Sequence, residues 1–169
     1  MAAETSKPGD PSPAFSRAQA PDGPFTMLPA TSADSDELAA MAILCERDPW
    51  SADTIASALV DAYSCNFLCR RVSDGVLCSY VLARQVVDEL EIHKVATHPD
   101  FRRQGRARRL LIAAMDQARM RGGKSVFLEV RAGNTAAQAL YRSIGFHVDS
   151  VRKEYYDSKE NAVLMSRIL

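Results

Sequence analysis

The chain has 169 residues, 47% apolar and 25% charged, and its 21 basic and 21 acidic side chains cancel to a formal net charge of zero. That length suits one domain with a sizeable core, and the neutral balance argues against nucleic acid as a partner, so any charged-ligand site must be local. No apolar run reaches the ~20 residues of a membrane span or reads as a signal peptide, so the expectation is a cytoplasmic protein with no membrane partner.

Five of the eight prolines fall in the first 24 residues, among Ser, Ala and Gly and without apolar periodicity. Residues 1–25 are therefore expected to be a disordered tail, and residues 26–169 the folded domain. Asp34-Ser35 predicts the cap of a helix reaching about Glu46, with Leu38, Met41, Ala42 and Cys45 on one stripe. Pro49 interrupts, and Ser51 caps a second helix carrying Ile55, Leu59 and Tyr63. Two strands, 66–72 and 76–86, follow around the hairpin turn Ser73-Asp74-Gly75, and a third runs over 88–97. Cys45, Cys65, Cys69 and Cys78 show neither CxxC pairing nor nearby histidines, so they read as reduced core thiols, with no metal.

Arg102-Arg103-Gln104-Gly105-Arg106-Ala107 comes next, behind a strand and opening a helix. A turn of backbone amides at a helix N-terminus, where the macrodipole is positive, makes a phosphate site. Gly105 lets an anion approach the main chain, and small Ala107 keeps the helix near its strand. Arg102, Arg103, Arg106, Arg108 and Arg109 crowd the same stretch, which suits more than one phosphate group. The helix is the clearest element, with Ala107, Leu110, Leu111, Ala114, Met115 and Ala118 at helical spacing and Gly122-Gly123 as its stop. A strand over 125–130, a short helix capped by Asn134 and ending before Gly145, and strands over 146–156 and 162–169 complete the chain. The fold class is α/β (α+β), a mixed central sheet with helices on both faces and parallel central strands joined by right-handed crossings.

Three motifs in order, Arg102-x-x-Gly105-x-Ala107, Leu128-Glu129-Val130-Arg131-x-x-Asn134 and Ala139-Leu140-Tyr141-x-x-x-Gly145-Phe146, resemble the GNAT family of N-acetyltransferases over about residues 88–156. Pro49-Trp50-Ser51 and Arg152-x-x-Tyr155-Tyr156 are similar to its RimI-like subfamily, which acetylates the N-terminal alanine of a ribosomal protein; with them the resemblance spans 26–169. It implies the GNAT fold, acetyl-CoA as cosubstrate, and direct attack by an acceptor amine in a ternary complex, in a monomer or weak oligomer. It places the pyrophosphate on residues 102–107, the pantetheine arm along Val95, Ala96 and Thr97, and a pantetheine contact at Asn134, which capping explains equally well. Glu129 is the implied base and Tyr141 the implied acid, unless Tyr141 is simply core. Glu91 and His93, on one face of their strand, are rival bases. Trp50, Glu91, Arg131 and Tyr155 are the expected acceptor-side residues, although a lone tryptophan beside proline also serves as a core anchor. Departures from the subfamily pattern (Lys94 in place of asparagine, Glu160-Asn161 in place of an acidic pair) lie on the acceptor side.

An α-amine of pKa about 7.7–8.0 is partly neutral at pH 7, whereas a lysine at about 10.4 is almost wholly protonated. A site with one modest carboxylate base therefore suits a protein N-terminus. Two alternatives stand beside it. A small-amine acetyltransferase of the same fold predicts Asp88, Glu89 and Glu91 lining an open acidic cleft. A non-catalytic CoA-binding module needs neither Glu129 nor Tyr141.

Overall fold

The computed structural model describes residues 24–156 and 159–169, so most of the expected tail lies outside the described residues. Phe25, assigned to that tail by composition, instead opens β1 (Phe25–Pro29), which pairs antiparallel with β2 (Phe67–Arg71). This strand was not expected. Five mostly exposed residues ending at proline give no alternation to read.

Helix α1 (Ser35–Cys45) buries Leu38, Ala39, Met41 and Ala42, and α2 (Ala52–Val60) buries Ile55 and Leu59. Ser51 caps α2 as expected, its hydroxyl accepting from the Thr54 amide at 3.2 Å. Asp34 does not cap α1 with its side chain. Its carboxylate accepts from the Thr31 amide at 2.8 Å and pairs with Arg70 at 2.8 Å, fastening the turn before the helix to β2. The hairpin partner β3 (Leu77–Val86), then β4 (Glu89–Thr97), α3 (Arg106–Met120), β5 (Ser125–Arg131), α4 (Thr135–Ser143), β6 (His147–Tyr156) and β7 (Glu160–Ile168) follow near the expected bounds.

Among the described residues the strands form one seven-stranded sheet ordered β1-β2-β3-β4-β5-β7-β6. Only β4 and β5 pair in parallel, because β7 inserts antiparallel between β5 and β6. The first crossing, through α3, thus gives the expected parallel pair. The second, through α4, carries the chain past one strand position. α1 and α2 cover one face of the sheet over Leu68, Leu77, Tyr80, Leu82 and Ala96. The other face packs Val81, Leu90, Ile92, Val126 and Leu128 against α3, through Leu110, Leu111, Ala114, Met115 and Ala118, and against Tyr141 of α4. Leu110 and Leu111 are fully buried, each contributing about 1.5–3 kcal/mol by transfer from water. Cys65, Cys69 and Cys78 are buried and Cys45 partly so, all four as free thiols. No helix among the described residues is long and apolar enough to cross a membrane.

Candidate active site

Pairing between β4 and β5 stops at Ile92 opposite Leu128, although β4 continues to Thr97 and β5 to Arg131. The cause lies one strand away. Leu82 of β3 pairs with Lys94 while Ala83 pairs with Ile92, so His93 is an inserted residue, a β-bulge that bends β4 away from β5. The bulge also shifts the alternation of β4. Leu90 and Ile92 pack on the α3 side, as Val95 does after the bulge, while Ala96 turns to the α1–α2 side. Beyond Ile92 the edge of β4 that faced β5 is open, and an extended amide-bearing chain can add to it as a strand would.

At the far end of β4 a short turn, Pro99–Phe101, leads into the arginine loop. Arg103 and Gly105 adopt left-handed conformations with φ of 61° and 75°. A Cβ built on Gly105 meets nothing within 4 Å, so glycine serves both the turn and the approach of a ligand. The first helical bond is Arg109 N–H to the Gly105 carbonyl at 3.1 Å, which leaves the amides of Arg106, Ala107 and Arg108 pointing out of the positive end of α3. Arg102, Arg103, Arg108 and Arg109 are exposed around them.

Of the five arginines that crowd this stretch, Arg106 alone is buried. Its side chain is only 2% exposed and lies between the rings of Phe25 and Phe101, at 4.8 and 5.0 Å. It donates to the Phe101 carbonyl at 3.3 Å and to the Gln104 side-chain oxygen. Arg106 can therefore offer an anion its backbone amide alone, and the Gln104 side chain is turned inward with it. The Thr97 carbonyl accepts from Arg102 Nε at 3.1 Å and from the Cys45 thiol at 3.5 Å. Val95 and Ala96 remain on the open edge. Asn134 caps α4, its Oδ1 accepting from the Ala137 amide at 3.1 Å, so only its amide NH2 is left for a ligand.

Glu129 sits just past the fork. Val126, Leu128 and Val130 are buried on the α3 side, which turns Glu129 to the α1–α2 side. The carboxyl is 28% exposed and its Oε1 pairs with Arg152 at 2.5 Å. Tyr141 is 7% exposed, its ring 5.8 Å from Phe146. Burial pushes its phenol up to about 12, with a smaller push from Tyr156. Tyr156 is raised by burial first and by the Glu129 carboxylate second. Sequence reasoning passed over Tyr156 as a site residue, and the doublet Tyr155-Tyr156 was its only signal. Tyr155 is 50% exposed, edge-on to Tyr156.

Trp50 lies over the bulge, its ring 5.7 Å from that of His93 and 5.4 Å from Lys94 Nζ. Lys94 donates to Glu46 Oε2 at 2.7 Å, and the buried Tyr80 hydroxyl donates to Glu46 Oε1 at 2.6 Å. The departure at Lys94 is thus neutralised by a carboxylate from the α1–α2 loop, a pairing no local spacing shows. His93 is held below the usual imidazole range by burial, partly offset by Glu91 at 3.7 Å. Arg131 pairs with Asp48 and with Glu160 and stacks on Tyr156.

The Acetyltransferase (GNAT) family model matches residues 34–146. The chain is 38% identical over 121 residues to the [ribosomal protein bS18]-alanine N-acetyltransferase of Escherichia coli strain K12, covering 70% of this chain and 80% of the relative. It is 34% identical over 139 residues to the N-alpha-acetyltransferase RimI of Mycobacterium tuberculosis, covering 79% and 85%. The crystal structure of the ribosomal-protein-S18-alanine N-acetyltransferase from Escherichia coli superposes with a TM-score of 0.78 at 32% identity, over 85% of this chain and 93% of that one. Fork, amide-lined helix start and sequence agree, and the chain belongs to the GNAT family as an acetyl-CoA-dependent N-acetyltransferase.

Proposed function

We propose that the protein acetylates the α-amine at a protein N-terminus, with the N-terminal alanine of a ribosomal protein as its acceptor. The observation that carries this reading is the fork between β4 and β5, open beyond Ile92 and flanked by Glu129 of β5 and the amide-lined start of α3. The relatives named for alanine N-acetylation support the choice of acceptor.

Acetyl-CoA lies with its pyrophosphate on the amides of Arg106, Ala107 and Arg108 and its pantetheine arm along Val95 and Ala96. The neutral amine attacks the thioester carbonyl carbon, a C–N bond forms, and the C–S bond breaks with its electron pair leaving on sulfur. Glu129 takes the surplus amine proton on Oε2, the oxygen without a hydrogen-bond partner among the described residues. Tyr141 donates its O–H to the departing thiolate. At about 12 its phenol lies well above a thiol of about 8.5, so its main effect is a hydrogen bond to the sulfur as charge develops there.

The small-amine alternative needed an acidic cleft. Asp88 instead pairs with Lys124 at 3.1 Å, and Glu89 begins β4 eight residues before Thr97, about 26 Å from that residue at strand rise. The deciding experiment presents purified enzyme and acetyl-CoA with alanine-starting peptides, the same peptides with blocked N-termini, and polyamines. Mass spectrometry is expected to find acetyl only on free N-terminal alanine. Acetylated polyamine with untouched peptide would reverse the assignment.

A further inference from the structure

Arg131 ends β5 beside the fork, yet its guanidinium is committed elsewhere. One nitrogen, Nη2, donates to Asp48 Oδ2 in the α1–α2 loop, and Nη1 donates to Glu160 Oε2 at the start of β7, at 2.9 Å. Its flat face lies 4.0 Å from the centre of the Tyr156 ring. Glu160 gathers two further donors, the Gly133 amide at 3.0 Å and Arg47 at 3.3 Å. One 15% exposed side chain therefore ties together the loop bearing Trp50, the start of β7, the Tyr156 ring and, through Glu160, the turn before α4. A planar fork that pairs two carboxylates while stacking on a ring is chemistry that lysine cannot copy.

We propose that Arg131 is a positioning residue: it clamps the Trp50 loop and Tyr156 in place and so sets how tightly the acceptor peptide is held, without touching substrate. As far as it concerns the acceptor, the inference rests on the N-terminal acetyltransferase reading. The clamp itself can be measured without it. Trp50 is the single tryptophan of the chain and stands two residues from Asp48, so its fluorescence reports the loop directly.

In Arg131→Lys, Trp50 emission is expected to shift to the red and the acceptor KM to rise about tenfold, with kcat and the acetyl-CoA KM within about threefold of wild type. Asp48→Asn is expected to do the same. The double variant should be little worse than Arg131→Lys alone, because the Asp48 contact is among those that variant already breaks. A general loss of folding would instead lower kcat and leave KM untouched. An unchanged Trp50 spectrum, an unchanged acceptor KM, or effects that multiply in the double variant would each overturn the clamp. Should Arg131→Lys fail to fold, Asp48→Asn and Glu160→Gln take its place in the same measurements. A wild-type enzyme inactive on every N-terminal peptide defeats the functional reading instead, and the Trp50 spectra still decide whether the clamp exists.

Discussion

Between Arg103 and Arg106, three residues apart in one loop, the same side-chain type meets opposite environments. Arg103 is exposed on a left-handed turn, whereas Arg106 is enclosed by Phe25 and Phe101. Each cation–π contact is worth about 0.5–2 kcal/mol where water is excluded. Arg106→Met is thus expected to lower stability by about 2–3 kcal/mol in urea unfolding, with acetyl-CoA affinity held within a few-fold. Arg103→Met should do the reverse, weakening acetyl-CoA in calorimetry and leaving the unfolding midpoint in place. Tyr141 makes a second residue-scale case. With its phenol at about 12 it keeps its proton throughout the assay range, so kcat/KM should climb with deprotonation of the acceptor α-amine near pH 8 and stay level to about pH 10. Tyr141→Phe is expected to lower kcat at least a hundredfold with acetyl-CoA binding intact, as read by steady-state kinetics beside calorimetry. Full turnover in that variant would remove Tyr141 from the chemistry.

Among the elements, α3 and β4 show where sequence was readable and where it was not. The apolar series of α3 is local and periodic, and every position expected to face the core does so, apart from Ala107, which is half-buried. The bulge at His93 left no local mark, because it exists only relative to β3. Yet the bulge opens the fork, and the fork makes room for chemistry. Similarly, the motif singled out Glu129, but Arg152, which lies across β7 and meets its carboxylate, belongs to another strand. Lys94 with Glu46, and Arg131 with Asp48, are pairings between segments 48 and 83 residues apart. Motifs thus revealed which residues bear chemistry, while long-range partners decided which way those residues point. Arg106 is of the same kind: its two aromatic neighbours come from β1, an element too short and exposed to anticipate, and from the turn after β4.

Over the whole molecule, burial of imidazole links stability to pH. His93 and His98 both lie below the usual 6.5 through burial, partly offset by Glu91 and by Asp100. As pH falls through 6.5 the unfolded chain takes up these protons before the folded one does, so the free energy of unfolding should decline below that point. Urea unfolding at pH 7, 6 and 5 measures the slope, and His93→Gln is expected to flatten it. The strand order carries a consequence of another kind. β7 is synthesised after both of its neighbours yet lies between them. Until residues 160–168 have left the ribosome exit tunnel, β5 keeps one unzipped edge and β6 has no mate at all, an invitation to illicit pairing with other nascent chains. Completion of this half of the sheet is therefore a late cotranslational event, and the pairing of Arg131 with Glu160 can form only once that strand has slotted home.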